Sequence, residues 1–246
     1  KGNITNGKSN SRRTFCLTVD TLRAALGAAY FNGSFSIENL NQPLISLSLN
    51  GDLVFDDLRK FIKTNSFDSQ EGTITGNLKL YGRLPAGGKF SISSLPLLNP
   101  TANIRLESFG ADFPGAGLFF RGVTGKIRLA EHLQAENLCM TILGQNYCFD
   151  GELRNFTSWV AGTGATLDIN GNVKADIFIP SAFAATQAQK PSKNEEKKPV
   201  NLFPDDVKAY ISFHADSLIN NDFHAGDFNC ILSYKPYILS FNNIAA

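Results

Sequence analysis

A one-sided charge is missing from this sequence: 23 lysines and arginines stand against 22 aspartates and glutamates, a formal net charge of +1. A chain so balanced sets up no overall field to draw in polyanions, so nonspecific nucleic-acid binding is disfavoured. Long apolar runs are missing too. No stretch approaches the roughly 18 consecutive apolar residues of a transmembrane helix, and the opening Lys1-Gly2-Asn3-Ile4-Thr5 is not a secretory signal. Cysteine is sparse. Cys16, Cys139, Cys148 and Cys230 are too few for a disulfide scaffold at this length, and none forms a CxxC pair. Cys139 and Cys148 can face each other across a hairpin turning near Gly144-Gln145-Asn146, and two readings stay open there: a disulfide, or two small buried hydrophobes.

Chemical motifs are equally scarce. His132, His214 and His224 are scattered without an HxxxH or HExxH spacing. His214 and His224 fall near Asp222 and Asp227 on what read as adjacent strands, but spacing alone supplies no convergent ligand set, so exposed hairpin histidines are the preferred reading and no metal is expected. Asp56-Asp57 stands just before Leu58, Phe61 and Ile62, which fits the acidic first turn of a short helix better than acid/base work. The glycine-rich stretch from Gly110 to Gly117 lacks the Lys-Ser/Thr and the helix of a phosphate loop, and reads as a loop between strands. Lys190, Lys193, Lys197 and Lys198 alternate with Glu195 and Glu196 without aromatics, a solvated linker rather than a nucleic-acid patch. No nucleophile, base and orienter fall into a recognisable set, so the chain is read as noncatalytic and without cofactor.

What is present is alternation. Hydrophobic residues make up 43% of the chain, and 20 phenylalanines against one tryptophan supply apolar area that needs no hydrogen-bond partner. Short segments alternate apolar with polar residues around glycine turns, which on a strand sends one set of side chains to each face. The apolar set on the first strands is Phe35, Ile37, Ile45, Leu47 and Leu49. It continues with Ile74, Leu78 and Leu80, then Ile104, Leu106, Ile127 and Leu129, and ends with Leu167, Ile169 and Val173. So many half-greasy strands predict an all-β, mostly antiparallel protein, a curved amphipathic sheet or repeating β-groove with one or two short helices. One helix is expected near Asp57 to Lys63. Thr21 to Ala29 reads either as a helix or as a strand edge, and residues 1–13 as frayed chain or an edge segment.

The texture breaks at Ala184 to Pro199, which is charged, flanked by proline and without apolar periodicity, as in a mobile connector. The expected organisation is a main β block over residues 1–183, a linker over 184–199, and a second β block over 200–246 that either stands apart or extends the same sheet.

The order of segments resembles the C-terminal, repeating-β-groove part of the AsmA-like family of Gram-negative envelope proteins. The residues that carry the likeness run from Asn32 to Leu40 with Pro43, from Gly51 to Leu58, and from Gly72 to Leu78. Further matches are Leu143 to Asn146, Gly151 to Phe156, Asn170 to Asp176, and, beyond the linker, Phe203 to Ala209 with Ala215 to Leu218. The resemblance spans most of residues 30 to 235. It implies a periplasmic protein tethered to the inner membrane by a segment outside this sequence, with phospholipid as partner and a place in lipid transport between membranes or in outer-membrane assembly. It carries no catalytic residues onto this chain. The fifteen apolar positions above are then the expected lipid-groove residues. The rival reading is a structural or assembly factor with an ordinary closed β core that binds other envelope proteins by strand-edge pairing.

Overall fold

The computed structural model describes residues 1–54, 72–87, 91–113, 118–185, 205–236 and 238–245. Of these, 69% lie in strands. The expected helix near Asp57 to Lys63 and the connector beyond Ala185 lie outside the described residues.

Thirteen strands form one sheet in chain order. They are β1 (Gly2–Thr5), β2 (Cys16–Leu26), β3 (Ala29–Glu38), β4 (Leu44–Val54), β5 (Thr73–Arg83), β6 (Thr101–Phe113) and β7 (Leu118–Leu129). The remainder are β8 (Leu133–Ile142), β9 (Gln145–Arg154), β10 (Leu167–Phe178), β11 (Val207–Asn220), β12 (Phe223–Lys235) and β13 (Ile238–Ala245). Each strand pairs with its sequence neighbours, the simplest outcome when short turns join alternating segments. Gly27-Ala28, Leu143-Gly144 and Asn221-Asp222 make two-residue turns. Leu143 and Gly144 both hold positive φ, which matches the right-handed twist of the flanking strands. Thr21 to Leu26 is strand, not helix, and β1 forms one edge of the sheet.

One pairing departs from the antiparallel rule. β10 and β11 run parallel, so the chain between Phe178 and Val207 must return to the end of the sheet where β10 began. That pairing makes β11 to β13 a continuation of the same sheet. A shared core shows the same continuity: Tyr147, Ala175, Phe213, Ala215, Phe228 and Cys230 from β9 to β12 pack together.

The sheet is open and curved. Bulges bend it where the register slips between Val19 and Leu22, between Leu106 and Phe109, and between Ala135 and Leu138. At the last of these Asn137 holds a positive φ, and its backbone N–H donates to Asp150 Oδ1 at 2.6 Å. Glycines bend it further. Gly151 and Gly171 face each other, and the Phe149 ring lies over both, so that an added β-carbon would come within 2.6 Å of the ring at either site. The aromatic covers the backbone that the glycines leave bare.

Four short helical segments stand in the described connections. They are the 3₁₀ segments η1 (Arg12–Thr14) and η2 (Ile92–Leu98), and the α-helices α1 (Phe156–Val160) and α2 (Pro180–Ala185). Cys139 and Cys148 are directly opposed on β8 and β9 and joined by a disulfide, which decides between the two readings of that pair.

The glycine contact generates a test. Gly171→Val should lower stability to urea by about 1–3 kcal/mol through overpacking against Phe149 and the neighbouring strand. Gly226→Val should be tolerated, because a β-carbon there meets nothing nearer than the Asp216 carbonyl oxygen at 3.9 Å. Equal urea midpoints for the Gly171 variant and the unmutated protein would show that the ring does not rest on these glycines.

Candidate functional site

The pairing registers decide what each face presents. Beginning at Leu22 on β2, one row crosses Gly33, Leu49, Leu78, Ala102, Leu129, Leu133, Leu153, Ile169, Ala209 and Tyr234, and ends at Leu239 on β13. A second row, two residues further along each strand, holds Phe31, Gly51, Gly76, Ile104, Ile127, Ala135, Gly151, Gly171, Ile211, Leu232 and Phe241. Neither row contains a charged side chain. The row between them points to the other face and is polar throughout: Arg23, Asn32, Asn50, Asn77, Asn103, Arg128, Gln134, Glu152, Asn170, Tyr210, Ser233 and Ser240.

All fifteen apolar positions read from the sequence fall on the first of these faces. Leu80, Leu106 and Leu167 are buried, and the other twelve are half-buried. Their cover differs along the sheet, however. η2 lies on β4 and β5, where Leu80, Leu84 and Leu98 form a cluster with Ile45, Leu47, Leu78 and Leu95. Gly82 permits this contact, since a β-carbon there would strike the Leu97 carbonyl. α1 covers the far side, its Phe156 and Trp159 packing on Leu153, Leu167, Ile169, Val207 and Tyr234.

η2 and α1 also touch each other. Five strand spacings separate β5 from β10, about 24 Å along a flat sheet. Two segments of seven and five residues meet only because the sheet curls around the apolar face. Together they bridge one end of a trough. Ala102 is 2% exposed and lies in the row between the strands that carry the two segments.

At the other end of β9 to β12 the trough is filled from within. Phe178, Phe213 and Phe228 pack in one cluster with Ala215, with ring centroids 4.9 to 6.4 Å apart and Phe213 edge-on to the other two, and Val173 packs against this cluster. Gln145, 7% exposed, accepts hydrogen bonds from the Tyr147 hydroxyl at 2.7 Å and from the Ile179 backbone N–H at 3.0 Å. Burial pushes the Tyr147 hydroxyl up to about 12, so it stays a proton donor.

Seven of the expected groove positions are therefore packed into clusters: Ile45, Leu47, Leu78 and Leu80 near η2, Leu167 and Ile169 near α1, and Val173 in the aromatic core. Phe35, Ile37, Leu49, Ile74, Ile104, Leu106, Ile127 and Leu129 belong to none of the three. These eight, on β3 to β7, define the candidate site. Phe31 and Leu133, which alternation around glycine did not single out, share its rows. The covering residues Leu98 and Trp159 lie outside strands, where a period-two pattern carries no signal.

The polar face carries the titratable groups. His214 Nδ1 lies 2.9 Å from Asn229 Oδ1 and Nε2 lies 3.2 Å from Asp216 Oδ1, with Asp227 Oδ1 at 3.6 Å from Nδ1. The imidazolium donates to both of these oxygens, the neutral ring to one only. The bond to Asn229 is the largest cause holding the His214 pKa above 6.5, partial desolvation opposes it, and Asp216 and Asp227 add to it. His224 lies on β12 opposite Ile219, away from this group. No cluster of three His, Cys, Asp or Glu side chains suited to a metal occurs among the described residues.

No family model, no curated protein and no solved structure matches this chain.

His214 supplies a measurable consequence. A raised folded-state pKa stabilises the fold below 6.5, and that contribution is lost as pH rises through the folded value. An NMR titration should place the His214 midpoint above 6.5, and Asp216→Asn should bring it down. A midpoint at or below that value in the unmutated protein would contradict the hydrogen-bonded arrangement.

Proposed function

We propose that this chain is a noncatalytic protein of the Gram-negative envelope whose trough holds phospholipid acyl chains. In this reading it works in the periplasm, tethered to the inner membrane by a segment outside this sequence, in lipid transport between membranes or in outer-membrane assembly. The observation that carries the reading is the pair of uncharged rows running across twelve strands, with eight aliphatic and aromatic side chains on β3 to β7 outside every core cluster. Four strand spacings give this region a width of about 19 Å. A leaflet's hydrocarbon is about 15 Å deep, so an acyl chain and the trough match in scale. Contact there is worth about 25 cal/mol per Å² of apolar surface taken from water, and a chain that slides along uniform rows exchanges like contacts for like.

Two further features support the setting. The Cys139–Cys148 disulfide suits an oxidising compartment such as the periplasm. The segment likeness to the AsmA-like family points the same way, and it brings no catalytic residues with it.

The test separates an open trough from a core. Protein purified without added lipid should carry phospholipid in native mass spectrometry. Ile104→Asp or Ile127→Asp should keep the fold, because a carboxylate in an open trough stays hydrated, and should lose binding of a fluorescent phospholipid. Ala215→Asp, at a fully buried position, should cost several kcal/mol and unfold the protein. Leu47 and Leu78 serve less well, since both pack in the cluster beneath η2. An unmutated protein that binds no phospholipid, or aspartate variants that bind it unchanged, would overturn the reading.

A further inference from the structure

The polar face is not uniform. Over β5 to β12 its side chains pair with one another: Asn103 donates to Asn77, Asn146 donates to Asp176, and His214 lies within hydrogen-bond distance of Asn229 and Asp216. Asn32 and Asn50 stand in the same row as Asn77 and Asn103 and are directly opposed on β3 and β4. They do not bond each other. Beside them the register of β2 against β3 slips between Val19 and Leu22, so that Asp20 and Thr21 together oppose Ser34. A bulge of this kind bends its strand and re-aims its side chains. At this bend the polar face of β2 to β4 holds a cleft of about 420 Å³.

Two rungs of hydrogen-bonding groups cross the cleft. Arg23, Asn32 and Asn50 form one, and Ser34 and Ser48 with the bulged Asp20 and Thr21 form the next. Tyr30, 47% exposed, lines it two residues along β3 from Asn32. Among the described residues, no hydrogen bond or ion pair within the protein engages any of these eight side chains, the Asp20 carboxylate and the Arg23 guanidinium included.

The geometry points to a binding site for a neutral saccharide. A pyranose carries hydroxyls around its rim, each a donor and an acceptor, and C–H groups on its ring faces. Such a rim calls for mixed partners. A guanidinium only donates, a carboxylate only accepts, and hydroxyls and amides do both, and the cleft presents all of them. The apolar ring face calls for an aromatic plane, which Tyr30 supplies with its hydroxyl as a further polar handle. One carboxylate and one guanidinium cancel in charge, which favours a neutral ligand over a phosphate or a cation. Rungs two residues apart lie about 7 Å from each other, and three strands span about 10 Å, room for one or two sugar rings. The cleft lies on the face opposite the trough, so this inference stands apart from lipid binding.

The experiment titrates maltose, cellobiose and chitobiose into the full chain at millimolar concentrations and follows backbone amide signals by NMR. At least one disaccharide should shift the signals of Asn32, Ser34, Ser48 and Asn50 in a saturable way, and inorganic phosphate should not displace it. Tyr30→Ala should weaken binding on the order of tenfold. Tyr30→Phe keeps the ring and should weaken it far less, and Asn77→Ala, in the same row but outside the cleft, should leave the affinity unchanged. No saturable shift with any of the three sugars, shifts confined to other residues, displacement by phosphate, or a Tyr30→Ala variant that binds as well as the unmutated protein would overturn the proposal.

Discussion

Register is the constraint on which this structure depends. A strand has a side-chain period of two, so one residue of slip in any pairing would turn the rest of the sheet's apolar side chains toward solvent. Here the phase holds through twelve strands. It survives register shifts in five antiparallel pairings and one parallel pairing, and two apolar rows enclose a polar one from β2 to β13. In β6 and β8 a residue with positive φ, Ser108 and Asn137 respectively, sits at the bulge and takes up the offset. The apolar face exists as a continuous surface only because these local irregularities compensate.

Curvature converts that face into a trough. Without a second sheet stacked on it, a flat amphipathic sheet would leave its apolar side wet, and the cost would scale with its area. Curling reduces the exposure in two ways. It brings η2 and α1 into contact across five strand spacings, and it lets Phe178, Phe213 and Phe228 pack on one another at the opposite end of β9 to β12. Glycine supplies the means, as where Phe149 lies on Gly151 and Gly171. On β3 to β7, Phe35, Ile37, Leu49, Ile74, Ile104, Leu106, Ile127 and Leu129 belong to none of these clusters, and that inequality makes them the candidate site.

The polar face is organised as well, by smaller forces. Asn103 donates to Asn77 across the ladder at 3.4 Å, and Thr141, Asn146 and Asp176 form a chain of hydrogen bonds over three strands. Such exposed bonds contribute little each, though they favour the correct register over a slipped one. The disulfide on the same face pins β8 to β9 next to the Asn137 bulge, where the ladder is weakest.

Much of this was legible in the sequence. Alternation placed Phe35, Leu49, Ile104 and Ile127 on one face because the period of a strand is a local property of the backbone. Glycine and asparagine marked the turns for the same reason, and the scarcity of charge along the apolar positions foretold an uncharged surface. Other features are properties of pairing across distance. No local pattern announces that β10 and β11 run parallel, or that Ile45, Leu47, Leu78 and Val173 are packed into clusters while Ile104 and Ile127 are not. Leu98 and Trp159 sit in connections whose destinations depend on how far the sheet curls. Thr21 to Leu26 has helical composition and lies in a strand because β3 offers it a ladder of hydrogen bonds. The sequence by itself determined which side chains share a face, through the two-residue period. Only the tertiary structure decided which part of that face is covered, because cover depends on curvature summed over many strands.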